Sequence, residues 1–173
     1  MTVEELLRCM PCAGARAQIY IEPLSRAMTE FEIAVKPQRA AAFLAQVAHE
    51  SGSLNYVREI ASGAAYEGRA DLGNVEPGDG VRFRGRGLIQ VTGRANNRDC
   101  GDALGLDLLG SPELLELPLN AARSAGWYWH SRGLNALADR DLFGAITKKI
   151  NGGYNGLDDR IAHWLRARKF FGI

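Results

Sequence analysis

Two carboxylates close together in the chain are the first residues that suggest chemistry. Glu50 ends an apolar stripe of helical spacing, and Gly52 is of a residue type that commonly ends helices. The negative end of a helix and partial burial both disfavour an ionised carboxylate, which suits a general acid at neutral pH. A glutamate on the solvent side of the last turn is the alternative, and His49-Glu50-Ser51-Gly52 alone leaves both open.

A second acid, Glu59, follows nine residues later, across a stretch too irregular to continue the helix. Glycosidases place an acid at a helix end opposite a second carboxylate, and inverting enzymes separate the two by about 6.5–9.5 Å to admit a water. This arrangement makes Glu50 a candidate for the acid and Glu59 a candidate for the base. Glu67 and Glu76 are rival candidates for the base.

Polar residues suited to binding sugar lie in the segment after the glycine-rich stretch. Residues 88–92 are predicted to form a short extended run, which places Gln90 and Thr92 on one face with neutral donors and acceptors for sugar hydroxyls. Asn96 is expected on the following helix. A core hairpin with a polar rim is the alternative. A single arginine-glycine repeat without interleaved aromatics does not indicate RNA binding.

A last polar motif is Asn151-Gly152-Gly153, followed by Asp159 and Arg160. Asparagine before paired glycines is typical of a helix end and turn, so a purely structural role is the alternative here.

Helices around a long loop must position these residues. Capping and proline signals mark four helix starts, at Thr2, Pro23, Pro37 and Pro118. Two more helices are predicted over 141–150 and 158–171, whereas residues 62–87 hold seven glycines and are predicted to form a loop. The pattern indicates a mainly α fold with a glycine-rich loop and a small hairpin.

Length and composition restrict the class of protein. The 173 residues are 46% hydrophobic and 24% charged, which indicates a single globular domain. Acidic Glu4 and Glu5 stand where a signal peptide would be basic, and three cysteines cannot all pair, so a reduced cytoplasmic chain is expected. A net charge of +1 argues against a nucleic-acid binder. Cys9 and Cys12 lack a second pair, so no metal is expected.

Four motifs, taken in order, closely resemble the family 19 glycoside hydrolases, most of all their bacteriophage and prophage endolysin branch. The motifs are Ala48–Gly52, Tyr66–Asn74, Phe83–Arg94 and Ile150–Gly153. The likeness covers residues from about 38 to 171. It implies a lysozyme-like, two-lobed helical domain whose glycine-rich loop and small hairpin line the cleft. Residues 1–173 then form a single catalytic domain, in which N-terminal helices over 1–36 pack on a family-19-like core over 37–171.

The resemblance implies a role for each candidate residue. Glu50 corresponds to the general acid, Glu59 to the second carboxylate and Thr92 to the hydroxyl that helps to hold the water. The implied substrate-binding residues are His49, Gln90, Asn96, Asn151 and Arg160. The implied activity is inverting hydrolysis of β-1,4 bonds in peptidoglycan for host cell lysis, without metal or cofactor. Chitin oligomers are the alternative substrate, a lytic transglycosylase is the alternative reaction, and an inactive wall-binding module is the alternative class.

The resemblance also implies a setting for the protein. The expected partner is the glycan strand of bacterial peptidoglycan, with no nucleic acid and no stable membrane insertion, and the chain is expected to be a monomer. It is expected to stay in the host cytoplasm until a holin opens the way to the cell wall and periplasm. Arg82, Arg84, Arg86 and Arg94 either form a basic stripe that attracts the anionic wall or pair with Asp71, Asp79 and Glu67.

Overall fold

The computed structural model describes residues 1–173 as nine α-helices joined by turns and 3₁₀ segments, without a β-strand. The helices are α1 Val3–Cys9, α2 Arg16–Glu30, α3 Pro37–Glu50, α4 Asp79–Arg82, α5 Arg94–Leu104, α6 Pro118–Ser131, α7 Leu134–Ala138, α8 Phe143–Asn151 and α9 Leu157–Phe171. The 3₁₀ segments are Pro11–Ala13, Ala64–Tyr66, Ala70–Leu72 and Pro112–Glu116. The predicted mainly α fold is therefore confirmed. No helix is both long enough and apolar enough to cross a membrane.

Three of the four predicted helix starts are confirmed. The Thr2 hydroxyl accepts from the Glu5 backbone N–H while the Glu5 carboxylate accepts from the Thr2 N–H, a complete capping box. Pro37 and Pro118 are the first residues of α3 and α6, where a proline lacks no hydrogen bond.

The fourth predicted start, at Pro23, is wrong. Pro23 lies inside α2, which begins at Arg16. A proline at this place removes one helical hydrogen bond, but Ala17 and Tyr20 ahead of it are buried in the core. Tertiary packing therefore extends the helix past the local signal.

Helix α3 forms the centre of the molecule. Its residues Ala40–Ala48 are all buried, and it packs mainly against α9, while α2 packs mainly against α6. A helix that is buried on all sides is a rigid support, and Glu50 is its last residue. The main hydrophobic cluster surrounds α3 and includes residues of α1, α2, α6 and α9.

A second, smaller cluster lies between α5 and α6. It consists of Val91, Cys100, Leu104, Leu108, Leu115 and Trp127. Phe31 and Tyr128 pack against both clusters and so connect them. Two clusters agree with the predicted two-lobed helical fold. The division of the chain into residues 1–36 and 37–171 stays a prediction, although α1 and α2 do contribute to the main cluster.

The predicted extended run over 88–92 is wrong. The small hairpin is a tight turn, closed by two hydrogen bonds between Arg86 and Val91, and it contains no strand. Gly87 and Gln90 both have positive φ, of +80° and +57°, which turns the chain back on itself. Leu88 anchors this turn, since its N–H donates to the Ala121 carbonyl of α6.

Candidate active site

Glu50 contacts a buried arginine at the end of α3. Nη2 of Arg160 donates to Oε1 of Glu50 at 2.6 Å, and the side chains are 1% and 19% exposed respectively. The helix end and partial burial on which the sequence argument rests are both present. Arg160 places a positive charge beside Glu50 and occupies one carboxylate oxygen. The other oxygen, Oε2, accepts no hydrogen bond from the protein.

Polar side chains beneath Glu50 hold Arg160 in place. Its Nη1 donates to the Gln46 amide oxygen, and its Nε donates to the Asn155 carbonyl at 3.3 Å. The Gln46 amide in turn donates to the Thr147 hydroxyl at 2.9 Å, inside the core. The sequence analysis missed Gln46. The available signal was its position four residues before Glu50, which places both on one helix face.

Tyr128 of α6 is close enough to Glu50 for the charge of that carboxylate to act on its hydroxyl. Burial raises the pKa of Tyr128, and the negative charge of Glu50 adds to this rise against the opposing effect of Arg132. The Tyr128 hydroxyl donates to the Ile150 carbonyl at 3.4 Å. The next residue, Asn151, is exposed at the end of α8. Tyr128 thus contacts the end of the helix that carries Asn151.

Glu59 is half-buried and is held by two neutral donors. The Tyr66 hydroxyl donates to its Oε1 at 2.9 Å, and the Gly85 N–H donates to its Oε2 at 3.1 Å. The Glu59 N–H donates to the Gly85 carbonyl at 2.9 Å, which fixes the backbone as well. Burial and then the hydrogen bond to Glu59 raise the pKa of Tyr66. The carboxylate is therefore oriented without a cation.

Gln90 and Thr92 lie next to the same glycine. A Cβ on Gly85 would lie 2.7 Å from Oε1 of Gln90 and 3.2 Å from Oγ1 of Thr92. Oε1 of Gln90 is buried and accepts no hydrogen bond from the protein, which leaves an acceptor for a substrate donor. Asn96, in the first turn of α5, donates to the Thr92 carbonyl at 2.8 Å. The structure thus brings Glu59, Gln90, Thr92 and Asn96 together, although by a turn instead of a strand.

Helix α6 connects this group with the surroundings of Glu50. Gly87 packs against Ser124, and Ser124 and Tyr128 are four residues apart, on one face of α6. This face of α6 therefore contacts both the turn that carries Gln90 and the end of α8.

Of the two rival candidates for the base, Glu67 is hydrogen-bonded elsewhere and Glu76 is exposed to solvent. Both oxygens of Glu67 accept backbone N–H groups, from Gly78 at 2.6 Å and Gly80 at 2.8 Å. Glu76 is exposed in the turn before α4. Neither carboxylate contacts Gln90 or Thr92, so the structure favours Glu59 among the three candidates.

Two of the four arginines around the turn are paired with acids within the fold. Arg94 pairs with Asp79 at 2.6 Å, Arg86 pairs with Glu116 at 3.0 Å, and Arg82 donates to the carbonyls of Leu109 and Gly110. Of the predicted ion pairs, that of Arg94 with Asp79 is therefore confirmed, whereas Arg82 and Arg84 form no salt bridge and the basic stripe stays a prediction.

His49 is turned toward α9, away from Gln90 and Thr92. Its Nδ1 lies 2.7 Å from Oδ2 of Asp159. It lines a groove of about 390 Å³ together with Cys12, His163 and Arg166. The structure gives no contact between His49 and the other predicted substrate-binding residues. No three His, Cys, Asp or Glu side chains converge in a way that could hold a metal ion.

Comparison with known proteins gives a family match over two thirds of the chain. A family model described as chitinase class I, of the glycoside hydrolase 19 group, matches residues 27–142. This range includes Glu50, Glu59 and the turn that carries Gln90 and Thr92, whereas Asn151 and Arg160 lie beyond it.

Curated relatives include plant and bacterial proteins. The chain is 37% identical over 146 residues to Endochitinase At2g43610 of Arabidopsis thaliana, covering 80% of this chain and 50% of that protein. It is 32% identical over 157 residues to a glycosyl hydrolase family 19 domain-containing protein of Haemophilus influenzae, covering 73% and 76%. The chain thus spans about half the length of the plant relatives it matches.

Solved structures of the same kind share the fold. Chitinase C from Streptomyces griseus superposes with a TM-score of 0.81 at 28% identity, over 99% of this chain and 76% of that one. A bacterial family 19 chitinase gives the same TM-score at 26% identity, over 99% of this chain and 95% of that one.

Proposed function

The chain belongs to glycoside hydrolase family 19 and is a glycoside hydrolase, and we propose that it cleaves β-1,4 bonds in bacterial peptidoglycan by inversion. One observation supports this proposal above the others. Two carboxylates of a glycosidase pair have different partners, a guanidinium for Glu50 and neutral donors for Glu59. Different environments allow two carboxyl groups of one residue type to take different roles in a glycosidase.

In the proposed reaction Glu50 is protonated on Oε2 and donates this proton to the glycosidic oxygen. The carboxylate that results is stabilised at once by Arg160, which already contacts Oε1. Glu59 removes a proton from a water on the opposite face of the sugar, and its negative charge stabilises the oxocarbenium-like transition state. The Thr92 hydroxyl, close to the Glu59 anchor at Gly85, helps to hold this water.

A positively charged groove beside Asn151 favours peptidoglycan as the substrate. The groove has a volume of about 750 Å³ and includes Lys148 and Lys149, which are exposed and form no salt bridge. Its one acid, Asp141, is already paired with Arg168 at 2.6 Å. Peptidoglycan carries carboxylates on its stem peptides, whereas chitin is uncharged. The lytic role, the holin and the cytoplasmic location stay predictions from the sequence resemblance.

Chitin is the second candidate substrate. The observation that favours it is the name of the relatives, since the plant proteins and the structural neighbours are called chitinases or endochitinases. The groove of Lys148 and Lys149 is not needed for a neutral polymer, so the two candidates differ in their dependence on charge.

The deciding experiment measures release of reducing ends from purified sacculi and from colloidal chitin. We expect faster release from sacculi, and we expect Glu50→Gln to lower it by at least about 100-fold, the scale of general acid catalysis. Glu76→Gln is the matched control, because it makes the same change at an exposed acid. Faster release from chitin would favour the second candidate, and a 1,6-anhydro product would contradict hydrolysis.

A further inference from the structure

Two consecutive residues at the end of α3 contact two consecutive residues in the first turn of α9. His49 and Glu50 end α3, and Asp159 and Arg160 lie in the first turn of α9. His49 Nδ1 is 2.7 Å from Asp159 Oδ2, and Arg160 Nη2 is 2.6 Å from Glu50 Oε1. Because the residues are neighbours on both helices, the first contact restricts the geometry of the second.

The imidazole of His49 is fixed on a second side by Gly156, which precedes α9. A Cβ on Gly156 would collide with the ring, and its φ of +70° also favours glycine. This glycine allows the start of α9 to approach the end of α3. His163, one turn further along α9, has its Nε2 3.7 Å from the same Asp159 carboxylate.

The hydrogen-bonding groups of His49 and Asp159 are complementary. The carboxylate of Asp159 can only accept, so Nδ1 of His49 carries the hydrogen. The hydrogen bond from His49 is the main reason that the pKa of Asp159 lies below its usual range, and nearby His163 and Arg160 lower it further. The partners thus favour an ionised Asp159.

We propose that Asp159 and His49 are positioning residues, which act through Arg160 to hold the Glu50 carboxyl group in its reactive orientation. With Arg160 kept on Oε1, the proton-bearing Oε2 of Glu50 faces the glycosidic oxygen. The inference rests on the proposed function, since it needs Glu50 as the general acid. The Asp159 side chain is 59% exposed, and exposed ion pairs add little to stability. Replacing Asp159 is therefore expected to lower the catalytic rate and to leave stability nearly unchanged.

The first test replaces Asp159 by asparagine, which keeps the shape and removes the charge. A misplaced acid slows the chemical step, so we expect Asp159→Asn to lower kcat on sacculi by about 10-fold or more, with KM and the melting temperature nearly unchanged. The matched control is Asp158→Asn. It removes the neighbouring charge from the same helix turn, and Asp158 forms no salt bridge, so kcat is expected to stay the same.

A second readout separates positioning from structure. A 4-nitrophenyl β-glycoside of an N-acetylglucosamine oligomer has a leaving group that needs little proton donation, so the Asp159→Asn loss should shrink on it. His49→Ala should reproduce the loss on sacculi, and His49→Asn should restore part of it, because its amide can donate from nearly the same position as Nδ1.

Three results would overturn the inference. One is a kcat for Asp159→Asn equal to that of Asp158→Asn, another is an equal loss on both substrates, and the third is wild-type kcat in His49→Ala. If Glu50→Gln is inactive while Asp159→Asn is fully active, the positioning role alone fails. If Glu50→Gln is fully active, the proposed function fails and the inference fails with it.

Discussion

At the scale of single residues, the two carboxylates of the proposed pair differ in their hydrogen-bond partners, and those of Glu59 are neutral. Both oxygens of Glu59 accept from neutral donors, Tyr66 and Gly85, and no cation is paired with this carboxylate. Glu50, by contrast, is paired with a guanidinium that stabilises it once its proton has left. The two roles proposed for the same residue type thus go with two different sets of partners.

Replacing Glu59 by glutamine tests the base directly. An amide of the same size cannot take up the proton, so we expect Glu59→Gln to slow hydrolysis by at least about 100-fold. Azide, which attacks without losing a proton, should restore part of the rate. A proton spectrum recorded before mutarotation should show the α-anomer first with the unmodified enzyme, because inversion at a β-link gives that product.

The control for this variant is Tyr66→Phe, which removes one hydrogen bond to Glu59 and leaves the carboxylate. Its loss should be smaller than that of Glu59→Gln, and azide should not change it. A β-anomer as the first product, or full activity in Glu59→Gln, would contradict the two-carboxylate inverting mechanism.

The three cysteines differ in accessibility, which a thiol reagent can measure. Burial raises the pKa of Cys9 to about 11 and that of Cys100 to about 12, while Cys12 is exposed, and none is in a disulfide. Thiolates are the reactive form, so at pH 8 we expect one thiol per chain to react rapidly with a disulfide reagent. Cys12→Ser should abolish that fast phase, and two fast thiols would contradict the burial of Cys9 and Cys100.

Sequence reasoning located residues that are close in the chain and missed those that depend on tertiary packing. Gln90 and Thr92 were found because they lie in one short motif. Tyr66, which holds Glu59, belongs to a quoted motif, but nothing in its spacing indicates a hydrogen bond to an acid seven residues earlier. His49 was assigned to substrate, whereas its partner Asp159 is 110 residues away and is brought close only by the packing of α9 on α3.

At the scale of elements, local sequence signals were sufficient to predict the helices but not the turn. Long helices such as α3, α6 and α9 could be predicted because periodicity and first-turn prolines are local signals. The turn from Arg86 to Val91 could not, because an extended run and a tight turn share the same apolar residues. Positive φ at Gln90, a rare conformation for a residue with a side chain, decides between them.

Replacement by alanine should have different effects at Gly85, which precedes this turn, and at Gly87, which lies within it. At Gly85 the added methyl group meets the flexible end of Gln90, which can move at little cost in stability but leaves its place beside Glu59. At Gly87 it meets Ser124 on the rigid helix α6, and φ is +80°. We expect Gly85→Ala to lose activity with a nearly unchanged free energy of unfolding, and Gly87→Ala to lose about 2–4 kcal/mol of stability.

The matched control for the glycine pair is Gly105→Ala. Its φ of +69° resembles that of Gly87, but a Cβ there meets nothing within 4 Å, so it isolates backbone strain from steric overlap. Denaturant unfolding and the rate on sacculi are measured for all three variants. Equal destabilisation of Gly87→Ala and Gly105→Ala would contradict the proposed contact with Ser124.

At the scale of the whole molecule, ion pairs between distant segments make folding sensitive to acid. Arg39 and Lys36 hold the pKa of Asp139 far below its usual range, and Arg94 lowers that of the buried Asp79. A depressed pKa stabilises the fold above the unfolded value of about 3.9 and loses this effect as pH falls below it. The free energy of unfolding should therefore be level above about pH 5 and fall steeply below about pH 4.

Variants test which pair causes this acid sensitivity. Asp139→Asn should lower stability at pH 7 by about 1–2 kcal/mol and make the decline below pH 4 shallower, since its contribution is already absent. Asp102→Asn is the control, because Asp102 is exposed and forms no salt bridge. An unchanged slope in Asp139→Asn, measured by urea unfolding at several pH values, would contradict the assignment.

Although the net charge is only +1, the groove that Lys148 and Lys149 line is locally positive. We expect this groove to determine how substrate binding depends on salt concentration. Replacing Lys148 and Lys149 together by alanine should raise KM on sacculi by about 3- to 10-fold at low salt, because two exposed charges near a polyanion each add a modest attraction. The difference should fade near about 0.5 M salt, where the screening length is only a few ångströms.

The stem peptides of the substrate are the source of the negative charge in this argument, so their removal is the sharpest comparison. On glycan strands freed of peptides by an amidase, the double variant and the unmodified enzyme should have the same KM. Lys169→Ala is the matched control, because Lys169 is an exposed lysine that does not line the groove. A raised KM on peptide-free strands would show that the lysines act on the sugar chain itself, and an unchanged KM on intact sacculi would leave the preference for peptidoglycan without its electrostatic basis.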